Sequence, residues 1–319
     1  MLSVARRLEE GRYEGVIARC LALAWGEVSA RGLVRSLPVP ADVRVVAVGG
    51  ATLGGSGKTP LAIACARELA GQGARVALVG HAYLAHPGRA RLVSPDDSLA
   101  EVGDEALVAA RALEAHGVRV VVAASRILAV ELAAREADVL VLDGVLQTDP
   151  VRASLSLLAV DAEEPWGCAE AVPPRGDLRA PVAALLAAAD LVVPVGEGSS
   201  GARVTSDGAH VGDTFLSWEA LRPLRLGLAC ALARPRRLLR SLARHGITPV
   251  ATALAGDHRP IAARALQHPV DLWLATAKCA LHMPPVRAPL ATIHHDVVCS
   301  PTLSARLSLA HLDPRPHQQ

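Results

Sequence analysis

A glycine-rich turn between residues 49 and 59 contains the residue types that bind phosphate groups. Gly54, Gly55 and Gly57 lie in this turn, and Lys58 and Thr59 follow directly. Because glycine has no Cβ, the backbone N–H groups of such a turn can point inward around a polyphosphate. A lysine at this position reaches the β- and γ-phosphates, and the threonine hydroxyl binds Mg²⁺. The pattern predicts a nucleoside triphosphate site formed by Thr52, Leu53, Gly54, Gly55, Ser56, Gly57, Lys58 and Thr59.

The residues on either side of the turn fit the strand–loop–helix arrangement that a phosphate loop requires. Residues 43–48 form a β-branched apolar run, which is typical of a buried strand, and Pro60 stands near the start of the following helix. The strict motif G-x-x-x-x-G-K-[ST] requires glycine at position 52, where this chain has Thr52. The alternative is an ordinary strand–helix turn built from the same glycines.

Asp143 ends an apolar run, VLVLD, at residues 139–143. An apolar strand that ends in aspartate is the expected partner of a phosphate loop. The Asp143 carboxylate is therefore predicted to bind Mg²⁺, directly or through water. The alternative is an aspartate that only caps the turn after the strand.

Asp104 and His258 are candidate acid–base residues. Asp104 lies in the first turn of a predicted helix, where a carboxylate could remove a proton from an acceptor. Acidic residues are also common there because they stabilise the positive end of the helix dipole. His258 follows Asp257 after a predicted strand, and it is either a member of an acid–base pair or a solvated loop residue.

The elements that carry these residues alternate between strand and helix. The predicted strands and helices after the loop's own helix are at 75–80, 101–116, 118–123, 127–135, 139–142 and 155–160. This alternation predicts an α/β fold with a doubly wound parallel sheet. In such sheets ligands bind at the carboxyl ends of the strands, where the loop, Asp104 and Asp143 are all expected.

A second, smaller α/β domain without a phosphate loop is predicted from residue 191 onward. Its predicted elements are at 191–195, 226–230, 235–244, 248–253, 260–267, 271–276 and 294–298, with a polar turn or hairpin at 196–212. The predicted organisation is thus a phosphate-binding domain at 38–190 and a second α/β domain at 191–319. An amphipathic helix over residues 1–37 precedes them.

The predicted N-terminal helix has an apolar stripe and a polar side that is rich in arginine. The stripe includes Val16, Ile17, Leu21, Leu23 and Trp25. A helix of this kind can lie in a membrane interface, where it binds through apolar burial and attraction to anionic lipid. The alternative is a helix that packs on its own domain.

Composition excludes several classes of protein. The formal charge of +2 over 319 residues is too weak to indicate nucleic-acid binding. The six cysteines form no C-x-x-C pair, which is typical of reduced thiols in a cytoplasmic protein. No apolar run approaches the roughly 18 residues of a membrane-spanning helix. A cytosolic or peripheral protein is expected.

Five segments, in this order, resemble the tetraacyldisaccharide 4′-kinases of lipid A biosynthesis. They are VAVGGATLGGSGKTP, VGDEA, VLVLDGVLQ, GDH and LATAKCAL. That family also has threonine at the position of Thr52. The resemblance implies transfer of the γ-phosphate of ATP, with Mg²⁺, to the 4′-hydroxyl of tetraacyldisaccharide 1-phosphate. It further implies two α/β/α domains joined by a small β linker, and an N-terminal helix that docks on the cytoplasmic face of the inner membrane.

The resemblance also assigns residues. Lys58 and Thr59 match the nucleotide and Mg²⁺ groups, and Asp143 matches the first carboxylate of the family's D-D-G-L-Q-H. Asp104 matches the aspartate of G-D-E, the catalytic base that takes the acceptor's proton. His258 matches the histidine that supports this base from the second domain, and Arg179 matches the arginine of L-R-E near the acceptor.

Several positions depart from the family pattern. Gly144 replaces the second aspartate of D-D-G-L-Q-H, His81 replaces the arginine of R-G-Y-G, and Cys279 replaces the aspartate of T-E-K-D. Loss of a carboxylate at position 144 removes charge where Mg²⁺ sits. Two alternatives to a divergent lipid kinase therefore stay open. One is a nucleotide-binding paralogue with little or no activity that serves as a membrane-associated regulator, and the other is a phosphate-loop enzyme with a different acceptor. We also expect a monomer, with residues 81–98 as a candidate lid.

Overall fold

The computed structural model describes residues 13–167 and 169–312. They form two compact units. Thr205–Asp296 is the smaller unit, and the described residues before and after it form the larger unit. The domain boundaries predicted from the sequence lie at 37/38 and 190/191. They differ from this division into units and stay a prediction.

The larger unit begins with a helix and then alternates strands and helices. In chain order its elements are α1 (Val16–Arg31), β1 (Val34–Ser36), β2 (Arg44–Gly50), α2 (Lys58–Gly71), β3 (Val76–Val79), β4 (Arg91–Leu92), α3 (Leu99–Val102), α4 (Asp104–Leu113), β5 (Arg119–Val122), α5 (Arg126–Glu136), β6 (Val139–Asp143), β7 (Gln147–Asp149), β8 (Leu155–Asp161), α6 (Val182–Ala188), β9 (Leu191–Gly196) and β10 (Ala202–Thr205).

The smaller unit continues the alternation with shorter elements, and the chain then returns to the larger unit. The elements are β11 (Gly208–Val211), β12 (Thr214–Ser217), α7 (Trp218–Leu221), β13 (Leu226–Cys230), α8 (Pro235–Arg244), β14 (Ala251–Leu254), β15 (Leu272–Thr276), α9 (Ala277–Ala280), β16 (Leu290–Ile293), β17 (Asp296–Cys299) and α10 (Pro301–Arg306). Short 3₁₀ turns lie at Glu114–His116, Ala263–Leu266 and Leu309–His311.

A nine-stranded sheet with the order β17-β10-β9-β8-β2-β6-β3-β5-β4 forms the centre of the larger unit. The strands from β10 to β5 run parallel, and β4 is antiparallel to β5. The α/β class and the mostly parallel sheet are thus confirmed. Because β2 leads through α2 to β3 on one side, whereas β8 lies on its other side, the chain changes direction next to β2. In open α/β sheets ligands bind at such a point.

The central strands are buried on both faces, which explains their continuous apolar runs. Val46, Ala47 and Val48 in β2 and Leu140 and Leu142 in β6 have no exposed surface. Burial of each valine or leucine side chain stabilises a fold by about 1.5–3 kcal/mol. In register, Val48 of β2 pairs with Asp143 of β6, so the end of β6 lies beside the end of β2.

The sheet of the smaller unit has six strands in the order β12-β11-β16-β15-β13-β14. The strands from β16 to β14 are parallel, whereas β11 is antiparallel to β12 and β16. Trp273 in β15 is almost fully buried and packs in the core of this unit. A Cβ atom at Gly227 would lie 2.5 Å from the Trp273 ring, so glycine on the neighbouring strand makes room for it.

The structure corrects several predicted elements of the larger unit. The helix expected at 101–116 is broken at Gly103, whose positive φ of 83° cannot continue a helix, so α4 starts at Asp104. The strand expected at 191–195 does not begin a second sheet, because it is β9, which pairs in parallel with β8. Residues 196–212, expected as a polar turn or hairpin, instead contain β10, which runs parallel to β9, and β11, which forms an antiparallel hairpin with β12 just beyond this range. Residues 34–36 pair with β7 as a strand instead of continuing the helix.

Two predicted elements of the second domain also differ. The helix expected at 260–267 is only the 3₁₀ turn Ala263–Leu266, after Pro260. The strand expected at 294–298 corresponds to β17 (Asp296–Cys299), which pairs with β10 in the nine-stranded sheet. Strand β16, just before it, was not predicted, and it pairs with β15.

Helix α1 is the described part of the predicted N-terminal helix, and residues 1–12 lie outside the described residues. Its apolar side chains are largely exposed, with 75% for Val16, 78% for Ile17 and 74% for Leu23. No helix within residues 13–167 and 169–312 has both the length and the apolar content of a membrane-spanning segment.

Candidate active site

The phosphate loop lies between β2 and α2, at the carboxyl edge of the nine-stranded sheet. Gly55 and Gly57 have positive φ values of 75° and 79°, in the left-handed region that glycine adopts without strain. A Cβ atom at Gly57 would lie 2.8 Å from Cγ1 of Val195 in β9, so the space also requires glycine. Gly57 is the N-cap of α2, which begins at Lys58 and directs its N-terminus toward the loop.

Thr52 fits the loop without the freedom of glycine. The residue is buried (1% exposed), its φ is not positive, and its hydroxyl donates a hydrogen bond of 2.7 Å to the carbonyl of Gly54. It forms an isolated bridge with Leu178, and the N–H of Leu53 donates to the carbonyl of Asp177 at 2.9 Å. The threonine side chain therefore stabilises the conformation of the turn at residues 52–54, where the strict motif has a glycine without such a side chain.

Lys58, Thr59 and Asp143 are in direct contact. The Thr59 hydroxyl donates to Oδ2 of Asp143 at 2.6 Å, and Nζ of Lys58 lies 3.9 Å from Oδ1 of the same carboxylate. Nζ of Lys58 also donates to Oε2 of Glu105 at 3.3 Å. The parallel register of β2 and β6 produces this arrangement, because it places the end of β6 next to the loop.

The residues of this cluster fit a magnesium ion. Oδ1 of Asp143 is buried and accepts no hydrogen bond from any residue that the structure describes. A carboxylate oxygen without a hydrogen-bond partner, next to a threonine hydroxyl, is the type of oxygen pair that binds Mg²⁺ beside a phosphate loop.

Asp104 and Glu105 begin α4. Asp104 is buried (4% exposed), and its Oδ1 accepts the N–H of Glu105 at 2.8 Å. Glu105 reaches Lys58, as described above, so the G-D-E segment contacts the phosphate loop through its glutamate. Our sequence analysis did not select Glu105, although its place directly after Asp104 was a usable signal.

Two arginines and a histidine surround the Asp143 end of the site. Arg126 Nη1 donates to the backbone carbonyl of Asp143 at 2.8 Å, and the N–H of Arg179 donates to the carbonyl of Ala51 at 2.8 Å. Burial lowers the pKa of both arginines, while the Asp143 carboxylate acts in the opposite direction. The pKa of His81 is also lowered, firstly by burial and then by the charge of Arg126, which favours a neutral imidazole. Arg126 was not found by sequence analysis.

A cavity of about 240 Å³ adjoins the loop. It lies between the end of α1, the end of β2 and the turn after β6, and its lining includes Trp25, Arg35, Gly50, Gly144 and Arg179. Gly144 has a positive φ of 81°, and its N–H donates to the carbonyl of Val48 at 2.9 Å. The Arg179 Nε atom is buried and makes no hydrogen bond within the described part of the chain.

His258 belongs to the smaller unit, so it lies in a different unit from Asp104. Its Nε2 atom is 3.3 Å from Oδ2 of Asp257 and 3.3 Å from Nζ of Lys278. Lys278 also donates to Oδ1 of Asp257 at 3.0 Å. The pKa of Asp257 is below its ordinary value. Burial acts to raise this pKa, but the hydrogen bond between Asp257 and His258 and the charge of Lys278 outweigh that effect.

The structure brings most of the predicted site residues together. The residues from Thr52 to Thr59 form one loop, Asp143 contacts Thr59, and Arg179 is held next to the loop through Ala51. Asp104 joins them through its neighbour Glu105. The roles assigned to these residues and to His258 stay predictions.

The sequence profile of the family described as "Tetraacyldisaccharide-1-P 4'-kinase" (LpxK) matches residues 19–285. Among solved structures, the chain is similar to LpxK from Aquifex aeolicus, whose crystal structure was determined in complex with ATP. The TM-score is 0.64 and the sequence identity 19%, over 92% of this chain and 97% of that chain. At this identity the likeness shows a common fold.

Curated tetraacyldisaccharide 4'-kinases are similar in sequence. That of Xanthobacter autotrophicus is 34% identical over 69% of this chain and 66% of its own length. Those of Allorhizobium ampelinum and Brucella ovis are 29% and 33% identical, over 79% and 75% of this chain and 74% and 73% of theirs. The family profile and the Brucella ovis relative each cover most of the chain. The chain therefore belongs to the tetraacyldisaccharide-1-P 4'-kinase family.

Proposed function

We propose that this protein transfers the γ-phosphate of ATP to the 4′-hydroxyl of tetraacyldisaccharide 1-phosphate. The observation that carries the proposal is the contact of Thr59 with Asp143, beside Lys58 and Glu105. This cluster lies next to β2, where the chain changes direction in the nine-stranded sheet. Family membership supports the choice of acceptor. Phosphoryl transfer requires charge neutralisation, alignment and removal of a proton, and residues of each kind lie around this point.

Each group has one role in the proposed reaction. The loop N–H groups and Lys58 bind the β- and γ-phosphates, and Thr59 with Asp143 would hold Mg²⁺, which supplies further charge neutralisation when bound. A new bond forms between the acceptor oxygen and the γ-phosphorus, while the bond from this phosphorus to the bridging oxygen of ADP breaks. Asp104 takes the hydroxyl proton, because an alcohol is not ionised at neutral pH. Arg179 contacts the acceptor, and His258 acts as a further catalytic residue.

We also propose that α1 docks on the cytoplasmic face of the inner membrane. The exposed side chains of Val16, Ile17 and Leu23 support this proposal, because burying them in a bilayer removes apolar surface from water. The acceptor is a lipid, so a membrane-docked helix would bring the site to its substrate. A monomer, with residues 81–98 as a lid over the substrate, is consistent with this role and remains a prediction.

The test is transfer of labelled phosphate from ATP to tetraacyldisaccharide 1-phosphate in detergent micelles. We expect a 4′-phosphorylated product, with kcat/KM lower by about a hundredfold or more in Lys58→Ala. Asp104→Ala should lose about 10²–10⁴-fold in kcat, the usual contribution of a general base. Arg152→Ala is the control, because among the described residues Arg152 pairs only with Asp190, at 2.8 Å on the surface.

Gly144 favours one competing function. A site with a single carboxylate, Asp143, at the end of β6 suits a paralogue that binds nucleotide and regulates another protein at the membrane, with little activity of its own. Mg²⁺-dependent ATP binding without any lipid product would support this alternative and contradict the kinase proposal. ATP consumption with another acceptor would point to a different phosphate-loop enzyme.

A further inference from the structure

The turn after β6 places an arginine beside Gly144, a position that has no side chain to pair with it. Gly144 has only a hydrogen atom as its side group, and a Cβ atom built there would have a single neighbour within 4 Å, Nη2 of Arg126 at 3.7 Å. The other end of the same guanidinium, Nη1, is held at 2.8 Å by the backbone carbonyl of Asp143. Arg126 is therefore fixed beside the carboxylate that contacts Thr59, with Nη2 directed over Gly144.

Further positive charge lies around the same point. Arg35 and Arg179 line the cavity together with Gly144, and Lys58 is 3.9 Å from Oδ1 of Asp143. Arg35 lies close enough to lower the pKa of both Arg126 and Arg179 by charge repulsion. Cations held this near to one another are stabilised by an anion between or beside them. Asp143 supplies one negative charge at this point, and a bound polyphosphate would supply several.

We propose that Arg126 is an additional phosphate-binding residue, which takes over part of the charge neutralisation at the nucleotide. The proposal rests on the proposed function, because it assumes that the phosphate loop binds ATP. Guanidinium groups bind phosphate oxygens through paired, charge-assisted hydrogen bonds, and they remain charged at every pH of interest. The consequence is that this chain binds ATP with only a weak dependence on Mg²⁺.

A carboxylate at position 144 would reverse this property. From a Cβ atom 3.7 Å from Nη2, the carboxylate of an aspartate reaches the guanidinium and pairs with it. Arg126 would then be withdrawn from the phosphate, and the second carboxylate would increase the need for a divalent cation. Aspartate and asparagine tolerate the positive φ of Gly144 better than other residues with a side chain. Gly144→Asn is thus a matched control, with the same shape and backbone strain but no charge.

The experiment measures ATP binding by isothermal titration calorimetry, without lipid, in excess Mg²⁺ and in EDTA. The variants are Gly144→Asp, Gly144→Asn, Arg126→Gln and Arg126→Lys. For the parent protein we expect dissociation constants that differ by less than about tenfold between the two conditions. Gly144→Asp and Arg126→Gln should each weaken binding in EDTA by about tenfold and weaken binding in Mg²⁺ much less. Gly144→Asn and Arg126→Lys should stay closer to the parent.

Four outcomes would decide against the inference. If the parent binds ATP only with Mg²⁺, the kinase proposal stands and the role of Arg126 is wrong. If neither condition gives binding, the proposed function itself fails. Equal losses in Gly144→Asp and Gly144→Asn would assign the effect to backbone strain. If Arg126→Gln leaves both dissociation constants unchanged but raises KM for the lipid acceptor, the phosphate it binds belongs to the acceptor.

A further measurement distinguishes a structural role of Arg126 from a role in phosphate binding. Because Nη1 binds the Asp143 carbonyl, Arg126→Gln can lower thermal stability without any effect on phosphate binding. A purely structural loss would move the melting temperature in the absence of ATP, and it would weaken ATP binding equally in Mg²⁺ and in EDTA. That result would also overturn the inference, whereas a loss confined to EDTA supports it.

Discussion

At the residue scale, the buried threonine of the phosphate loop shows how a departure from a strict motif can increase the stability of the fold. The Thr52 hydroxyl satisfies the Gly54 carbonyl at 2.7 Å, and its side chain is almost completely buried. A hydrogen bond of this kind contributes about 0.5–1.5 kcal/mol to stability. A threonine also restricts the unfolded chain more than a glycine does.

We therefore predict that Thr52→Gly, which restores the strict motif, lowers the free energy of unfolding by about 1–2 kcal/mol. ATP binding should weaken as well, because the loop loses the bond that fixes its turn. Chemical denaturation and calorimetry measure the two effects. Thr52→Ser is the control, since it keeps the hydroxyl and should lie between the parent and Thr52→Gly. A Thr52→Gly protein that is more stable than the parent would contradict this account.

At the element scale, the short helix α9 contains a cysteine, Cys279, in an unusual role. Thr276 caps the helix by accepting the N–H of Cys279, and the Cys279 sulfur accepts the N–H of Ala231 at 3.2 Å. The pKa of Cys279 is lowered to about 6, firstly by a hydrogen bond from the Cys230 thiol, while burial opposes the shift. Cys279 thus stands where the related T-E-K-D segment has a carboxylate.

The lowered pKa predicts how stability depends on pH. An ordinary thiol in an unfolded chain titrates at about 8.5. The folded protein holds the thiolate of Cys279 more tightly, so its contribution is complete above that pH and is lost as the pH falls toward about 6. Denaturation at several pH values should show this decline in the parent and a flatter profile in Cys279→Ser. Identical profiles for the two proteins would mean that Cys279 is an ordinary buried thiol.

Helix α1 gives a second prediction at the element scale. Ile17 and Leu23 are 78% and 74% exposed, so charged replacements should leave the fold intact. If the helix enters a bilayer, each charged replacement loses the free energy of about 1.5–3 kcal/mol that burial of the apolar side chain would contribute. Ile17→Glu with Leu23→Glu should therefore reduce co-sedimentation with anionic phospholipid vesicles by more than about tenfold. Val250→Glu, at a 51% exposed position of the smaller unit, is the control. Equal vesicle binding by both variants would remove the docking role of α1.

At the scale of the whole molecule, the described residues of the phosphate loop and of its basic surroundings belong to the larger unit, whereas His258 belongs to the smaller one. The proposed roles therefore predict that binding of the nucleotide and the chemistry at the acceptor can be separated by mutation. His258 is held by Asp257 and Lys278 within its own unit, at 3.3 Å from each.

We predict that His258→Ala lowers kcat by about tenfold or more and leaves the dissociation constant of ATP within about twofold of the parent. Steady-state kinetics and calorimetry measure the two quantities. Lys58→Ala serves as the comparison, because it should weaken ATP binding as well. If His258→Ala weakens ATP binding as strongly as Lys58→Ala does, the histidine acts on the nucleotide and the assigned role is wrong.

The sequence by itself determined the local features of this protein. The strand, the glycine turn and the start of α2 are adjacent in the chain, so their pattern predicts the phosphate loop, and the apolar run that ends in Asp143 predicts a carboxylate at a strand end. These features depend on backbone conformation and hydrophobic periodicity over short distances, which the residues of one segment specify.

Only the tertiary structure decided which distant residues meet. Lys58 contacts Glu105, and Arg126 binds the Asp143 carbonyl, because β6 lies beside β2 in the sheet while α4 and α5 begin near the same edge. The place of β9 in the large sheet was likewise hidden, since β9 pairs with β8 and β10 there and not with the strands of the six-stranded sheet. Strands that are apolar on both faces can pair in many orders, so their order and register depend on packing across the whole sheet.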